Sequence, residues 1–215
     1  MQKVTFSNGC PGYMTGQGSK TGLIVIQEWW GVNDQIKQTA EKFAAASPML
    51  VLVPDLYRGQ VAFHEDEASH LMSNLDWQSA VQDIQAAVDY LKENGCEKIA
   101  VVGFCMGGAL TITSCVHVGG IDCGICFYGI PDKEFAAPQK IRVPMQLHFG
   151  NLDECKGFSC RESADLLEKE MRDCGKDFEM WRYEAKHAFM NHCGPKYDEK
   201  AASVAFERTI KDMFI

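Results

Sequence analysis

A cysteine sits between glycines in Gly103-Phe-Cys105-Met-Gly-Gly108, a G-x-nucleophile-x-G pattern with a thiol where a hydroxyl is more usual. The glycines have a physical reason. A nucleophile displayed on a sharp strand-to-helix turn leaves no room for side chains two residues before or after it, and the helix that follows favours thiolate at its N-terminus. A nucleophile needs a base, and the base needs a group to orient it. His187 in Tyr183-Glu-Ala-Lys-His187-Ala-Phe189 is the first candidate base, with His192 second, in a loop followed by Gly194-Pro195. Asp153, after Leu147-His-Phe-Gly-Asn-Leu152, is the first candidate acid, followed by Glu154 and then Asp132. His148 falls inside an apolar run and reads as a packed residue.

Elements must bring these residues together. Apolar runs rich in β-branched residues predict strands at Gly22–Gln27, Met49–Val53, Lys98–Phe104, Ile125–Tyr128 and Val143–Phe149, with a more alternating one at Phe178–Tyr183 nearer a sheet edge. Near-continuous apolarity implies strands covered on both faces, as in a parallel sheet. Trp77, Ala80, Val81, Ile84, Ala87, Val88 and Leu91 recur at three- and four-residue steps and predict a helix closed by Asn94-Gly95. Similar patterns cover Asn33–Ser47, Ser159–Cys174 and Asp198–Phe214, and another helix starts near Met106. This alternation predicts an α/β fold in a single domain, residues 1–215, with a mostly parallel central sheet and helices on both faces. Ligands of such sheets bind beyond the carboxyl ends of the strands. The residues just after the apolar runs are Glu28, Trp29 and Trp30, then Asp55, Cys105, Gly129 to Asp132, Asp153 with Glu154, and His187. One cysteine, several carboxylates and one histidine therefore share a rim, and the order nucleophile, acid, base is that of the α/β-hydrolase topology.

Composition excludes several classes. The 215 residues carry Lys+Arg 21 against Asp+Glu 29, a net charge of −8, which disfavours nucleic acid and anionic membranes as partners. No apolar stretch reaches the length of a membrane span. Ten cysteines would suggest a disulfide framework in a small secreted domain, but a chain of this size needs none. Met1-Gln-Lys-Val-Thr-Phe6 shows no apolar leader region, so reduced thiols in the cytoplasm are the expectation. Cys123 and Cys126 have C-x-x-C spacing within a predicted strand, and Cys155 and Cys160 follow Asp153 closely with nothing to mark them as ligands. Neither a metal site nor a cofactor is expected, and phosphate-cradling glycine motifs are missing.

The sequence resembles the dienelactone hydrolase (carboxymethylenebutenolidase) family along essentially its whole length. The resemblance rests on Gln27-Glu28-Trp29-Trp30-Gly31-Val32-Asn33, Val53-Pro54-Asp55-Leu56-Tyr57, the Cys105 elbow, Phe149-Gly-Asn-Leu-Asp153 and His187-Ala-Phe189. It implies the α/β-hydrolase fold, a Cys-His-Asp triad of Cys105, His187 and Asp153, and hydrolysis of small esters or lactones through an acyl-enzyme. It further implies that Glu28 contacts the resting cysteine until substrate displaces it, and that the backbone N–H groups of Met106 and Trp29 form the oxyanion hole. A carboxylate beside a thiol opposes a second negative charge, which keeps the resting thiol protonated and guarded from oxidation.

The match breaks where the family's best-known members bind a substrate carboxylate with two arginines. The first region reads Phe63-His-Glu-Asp-Glu-Ala-Ser-His70, without Arg or Lys, and the second position is Asn191. Arg58 is the nearby cation. The expected reaction partner is thus a small ester or lactone of unassigned identity, with substrate-binding residues unknown, and the chain is a monomer by default. A ligand receptor on the same fold and a redox-responsive thiol protein are the alternative readings.

Overall fold

The computed structural model describes residues 1–213. The chain opens with a hairpin, β1 (Gln2–Thr5) and β2 (Pro11–Gly16), then runs β3 (Thr21–Ile26), α1 (Asp34–Ala46) and β4 (Leu50–Pro54). Helices α2 (Glu65–Ser73) and α3 (Trp77–Glu93) lead to β5 (Lys98–Phe104), α4 (Met106–His117), β6 (Cys123–Phe127) and β7 (Met145–Gly150). Then come α5 (Arg161–Asp173), β8 (Phe178–Tyr183) and α6 (Glu199–Asp212). The predicted end of the final helix, Phe214, lies outside the described residues.

All eight strands form one sheet in the order β1-β2-β4-β3-β5-β6-β7-β8. From β4 to β8 every pairing is parallel, and β8 forms one edge as its alternating pattern predicts. Leu23 to Ile26 and Ile99 to Val102 are fully buried, so both faces of the central strands are covered by helices.

The hairpin is the element that the sequence reading misses. β1 and β2 pair antiparallel with each other, and β2 pairs antiparallel with β4. Gln2, Lys3 and Thr5 face solvent, so this short edge ribbon lacks the unbroken apolarity that marks the inner strands. Helix α2 likewise lies outside the predicted helices, and for the other predicted elements the differences are confined to their ends. Asn33 caps α1, accepting from Ile36 N–H at 3.1 Å, and Asp76 caps α3, accepting from Gln78 N–H at 3.0 Å. Among the described residues, no helix is long and apolar enough to cross a membrane.

Candidate active site

Cys105 is the single residue between β5 and α4. Its φ of 55° and ψ of −117° lie far from ordinary L-residue geometry, a strain that the packed turn must hold. The neighbouring glycines show how. A Cβ on Gly103 would collide with the Gly107 carbonyl, and one on Gly107 would stand 2.5 Å from the carbonyl oxygens of Ile26 and Gln27. Gly108 has the same conflict with the Phe127 carbonyl, and Gly129 with the carbonyl of Cys105 itself. The elbow is therefore built by backbone-to-backbone approach between α4, β3 and the end of β6.

His187 reaches the elbow from the loop after β8. Its Nε2 lies 3.2 Å from Cys105 Sγ, and its Nδ1 lies 2.8 Å from Asp153 Oδ2. An Nδ1–H donated to Asp153 leaves Nε2 as an acceptor facing the thiol. Asp153 stands three residues beyond β7, with its side chain fully buried. Besides His187, it accepts from Cys155 N–H at 2.8 Å and from Ser159 Oγ–H at 2.8 Å. Burial alone pushes the Asp153 carboxyl upward. The His187 hydrogen bond and charge, with the Cys155 and Ser159 donors, outweigh it and hold the group below the usual carboxylate value. Ser159 Oγ is also 3.0 Å from His187 Nδ1, so one hydroxyl touches both partners.

Glu28, two residues past β3, is buried and takes two donors. Tyr128 O–H donates to Oε1 at 3.3 Å and Asn191 Nδ2–H donates to Oε2 at 2.6 Å. Burial raises its carboxyl above the ordinary value against the pull of Asn191, His187 and Tyr128. The contact that the resemblance implies between Glu28 and the resting sulfur is not a hydrogen bond here: the thiol faces His187, while the carboxylate is held by Asn191 and Tyr128. The two groups still interact through charge. Burial is the larger cause, and Glu28 the second, of a Cys105 pKa pushed well above the ordinary thiol value, while the Met106 N–H aimed at the sulfur pulls it back. Met106 is the first residue of α4, where a backbone N–H has no helical partner. Trp29 lies in the turn after Glu28, partly exposed and packed edge-on against Trp30 at 5.2 Å.

The competing candidates are placed elsewhere. His192 bonds Gln38 Oε1 at the surface, 2.8 Å away. Glu154 and Asp132 are exposed. His148 is packed, stacked on Phe127 and 2.9 Å from the Tyr183 hydroxyl. Arg58 is engaged by Asp83 at 2.8 Å and also donates to Cys10 Sγ at 3.2 Å. Tyr128 and Ser159 are the site residues that sequence reasoning passed over, and Asn191 entered it only as the position of a missing arginine. Tyr128 carried a signal, since it directly follows β6 at the shared rim; it adopts a left-handed φ of 40° and meets the His187 ring edge-on at 5.1 Å.

Beside the Trp29–Trp30 turn, the segment before α2 bonds back through Ala62 N–H to the Trp30 carbonyl at 2.9 Å. It borders a cavity of about 610 Å³ lined by Val61, Phe63 and Leu71 together with Asp66, Glu67 and His70. No lysine or arginine lines it.

A thiol within reach of an imidazole that a buried carboxylate orients is equipped to attack an electrophilic carbonyl, with backbone amides available to a developing negative charge. The chain is also similar to known proteins. The profile of the Dienelactone hydrolase family matches residues 11–214. Carboxymethylenebutenolidase 1 of Cupriavidus pinatubonensis is 28% identical over 203 residues, covering 88% of this chain and 83% of that protein. Protein usf of Aquifex pyrophilus is 30% identical over 206 residues, covering 88% and 85%. Among solved structures, a dienelactone hydrolase-like promiscuous phosphotriesterase from metagenomic libraries superposes with a TM-score of 0.84 at 22% identity, covering 98% of this chain and 95% of that one.

Proposed function

We propose a mechanism for this chain from the premise that it belongs to the dienelactone hydrolase family and is a hydrolase of esters or lactones: Cys105 is the nucleophile, His187 the base and Asp153 the residue that orients His187. Cys105 Sγ attacks the substrate carbonyl carbon while its proton passes to His187 Nε2. The tetrahedral oxyanion accepts hydrogen bonds from the Met106 and Trp29 amides, donors of a kind worth roughly 3 kcal/mol each. Collapse expels the alkoxide, which takes the proton from His187, and leaves a thioester on Cys105. Water, losing a proton to His187, clears the acyl group and restores the thiol. The observation that carries this reading is the Sγ···Nε2 separation of 3.2 Å in line with the Nδ1···Oδ2 bond of 2.8 Å.

Glu28 opposes thiolate formation in the resting state through its charge. Arg58 is engaged by Asp83, and the position that would carry the family's second arginine holds Asn191 bonded to Glu28, which supports neutral esters or lactones over a dianionic lactone.

The test is turnover of an activated neutral ester by Cys105→Ala and His187→Ala. Each variant is expected to lose roughly three orders of magnitude in kcat with an unchanged far-ultraviolet spectrum. Near wild-type rates in either variant exclude the mechanism. Binding without turnover by the wild-type protein would favour a receptor instead.

A further inference from the structure

The mechanism leaves one nucleophilic side chain unused at the edge of the site. Cys155 is partly exposed, and one ligand atom from each of Asp153, Cys155 and His187 lies within 4.8 Å of the others. We propose that these three residues form a site for a thiophilic divalent cation such as Zn²⁺, and that its occupancy switches the hydrolase off.

The donor set is the first argument. Sulfur, nitrogen and carboxylate oxygen are the ligands that Zn²⁺ takes in tetrahedral sites, at about 2.0–2.3 Å. Ligand atoms in such a tetrahedron stand roughly 3.3–3.8 Å apart. Three atoms already within 4.8 Å close onto an ion with small side-chain movements, and the fourth position is left to water. The second argument is how the trio is held. Cys155 N–H is anchored to Asp153 Oδ1 at 2.8 Å, and Ser159 bridges Asp153 and His187, so the loop presents its ligands without rebuilding. Partial exposure of Cys155 and His187 gives an ion a way in.

The consequence follows from which groups are used. A cation on the His187 ring and the Asp153 carboxylate occupies the base and its orienting partner together. Binding replaces the Cys155 thiol proton, which is released to solvent; no electron is transferred and Cys105 is left unmodified. Removing the cation with a chelator restores the base. That inhibitory effect rests on the triad reading, whereas cation binding by itself does not.

The experiment uses the full chain in a Cys174→Ser/Cys193→Ser background, which removes the two exposed thiols, with and without Cys155→Ser. Co²⁺ reports directly, through the near-ultraviolet charge-transfer band of a cobalt-bound thiolate. Zn²⁺ is then titrated against ester hydrolysis. The expected result is one equivalent of Co²⁺ with the thiolate band, and chelator-reversible inhibition by Zn²⁺. In Cys155→Ser the band disappears, and the inhibiting Zn²⁺ concentration rises by an order of magnitude or more. Equal inhibition with and without Cys155 overturns the site. Cys155-dependent binding that leaves hydrolysis untouched overturns the switch, and the metal-free rate of His187→Ala then tells whether the triad reading has failed with it.

Discussion

Asn191 Nδ2 donates to Glu28 Oε2 at 2.6 Å, joining two residues 163 positions apart in the chain. The position at which the resemblance expects a substrate-binding arginine thus holds a neutral amide turned inward onto a buried carboxylate. That contact fixes Glu28 beside the thiol. Burial and Glu28 both raise the Cys105 thiol, so removing the charge removes the second cause. Glu28→Gln is expected to increase the rate of Cys105 alkylation by iodoacetamide at neutral pH, measured on a Cys174→Ser/Cys193→Ser background. An unchanged or slower rate counts against the restraint.

The same substitution should alter stability with a defined sign. The Glu28 carboxyl is raised in the fold, so the folded state binds its proton more tightly than the unfolded chain. Its ionisation costs nothing below the unfolded value and destabilises the fold as pH climbs through the raised one. Glu28→Gln should therefore gain in urea midpoint relative to wild type on going from pH 4 to pH 8. A gap that narrows with rising pH contradicts the assignment.

His148 supplies an acid-side prediction. Burial first, and the Arg208 charge second, lower its pKa from the ordinary 6.5 to about 3. Between those values the unfolded chain takes up a proton that the folded chain refuses. Stability accordingly falls as pH drops through that window, with a slope of up to about 1.4 kcal/mol per pH unit from this group. NMR of the His148 ring should show no titration above pH 4; a midpoint near 6 refutes the prediction.

Gly103→Ala tests the elbow. Its Cβ would enter the Gly107 carbonyl, and the helix start has nowhere to retreat because Gly107 is itself against the β3 backbone. Destabilisation of about 3 kcal/mol or more is expected. Gly18→Ala, where a Cβ meets nothing within 4 Å and φ is unexceptional, should stay within about 0.5 kcal/mol of wild type. Urea unfolding of both variants decides it.

Ser159→Ala tests a positioning residue. The hydroxyl orients Asp153 without touching the sulfur. The expected result is a fall in kcat by roughly tenfold with KM unchanged, restored in part by Ser159→Thr. Loss of activity as large as in His187→Ala would mean that the hydroxyl does more than orient.

What was legible in the sequence follows from where each residue sits. Cys105, Asp153 and His187 each stand just beyond an apolar run, and an open parallel sheet brings such positions to one rim whatever the intervening loops do. Glu28 shared that position, but its role came from the resemblance, and its actual donors, Tyr128 and Asn191, are fixed by contacts across 100 and 163 residues that no local pattern encodes. Ser159 read as an ordinary residue near a helix start because a hydroxyl there usually caps the helix. β1 and β2 were illegible because an exposed edge ribbon has little apolar patterning to read. The direction of Arg58 depended on Asp83, a buried acid on α3 that nothing in its own surroundings distinguishes from its solvent-facing neighbours.

The separation of 82 residues between Cys105 and His187 has a consequence for how the protein comes into being. On a ribosome the elbow emerges first, and a nascent chain carries the strained cysteine turn for some time before the edge strand β8 exists to deliver the imidazole. On the proposed mechanism the thiol has no acceptor until that last strand docks, so an unfinished chain is expected to be silent toward esters. The first appearance of hydrolytic activity during synthesis would then timestamp the closing of the sheet.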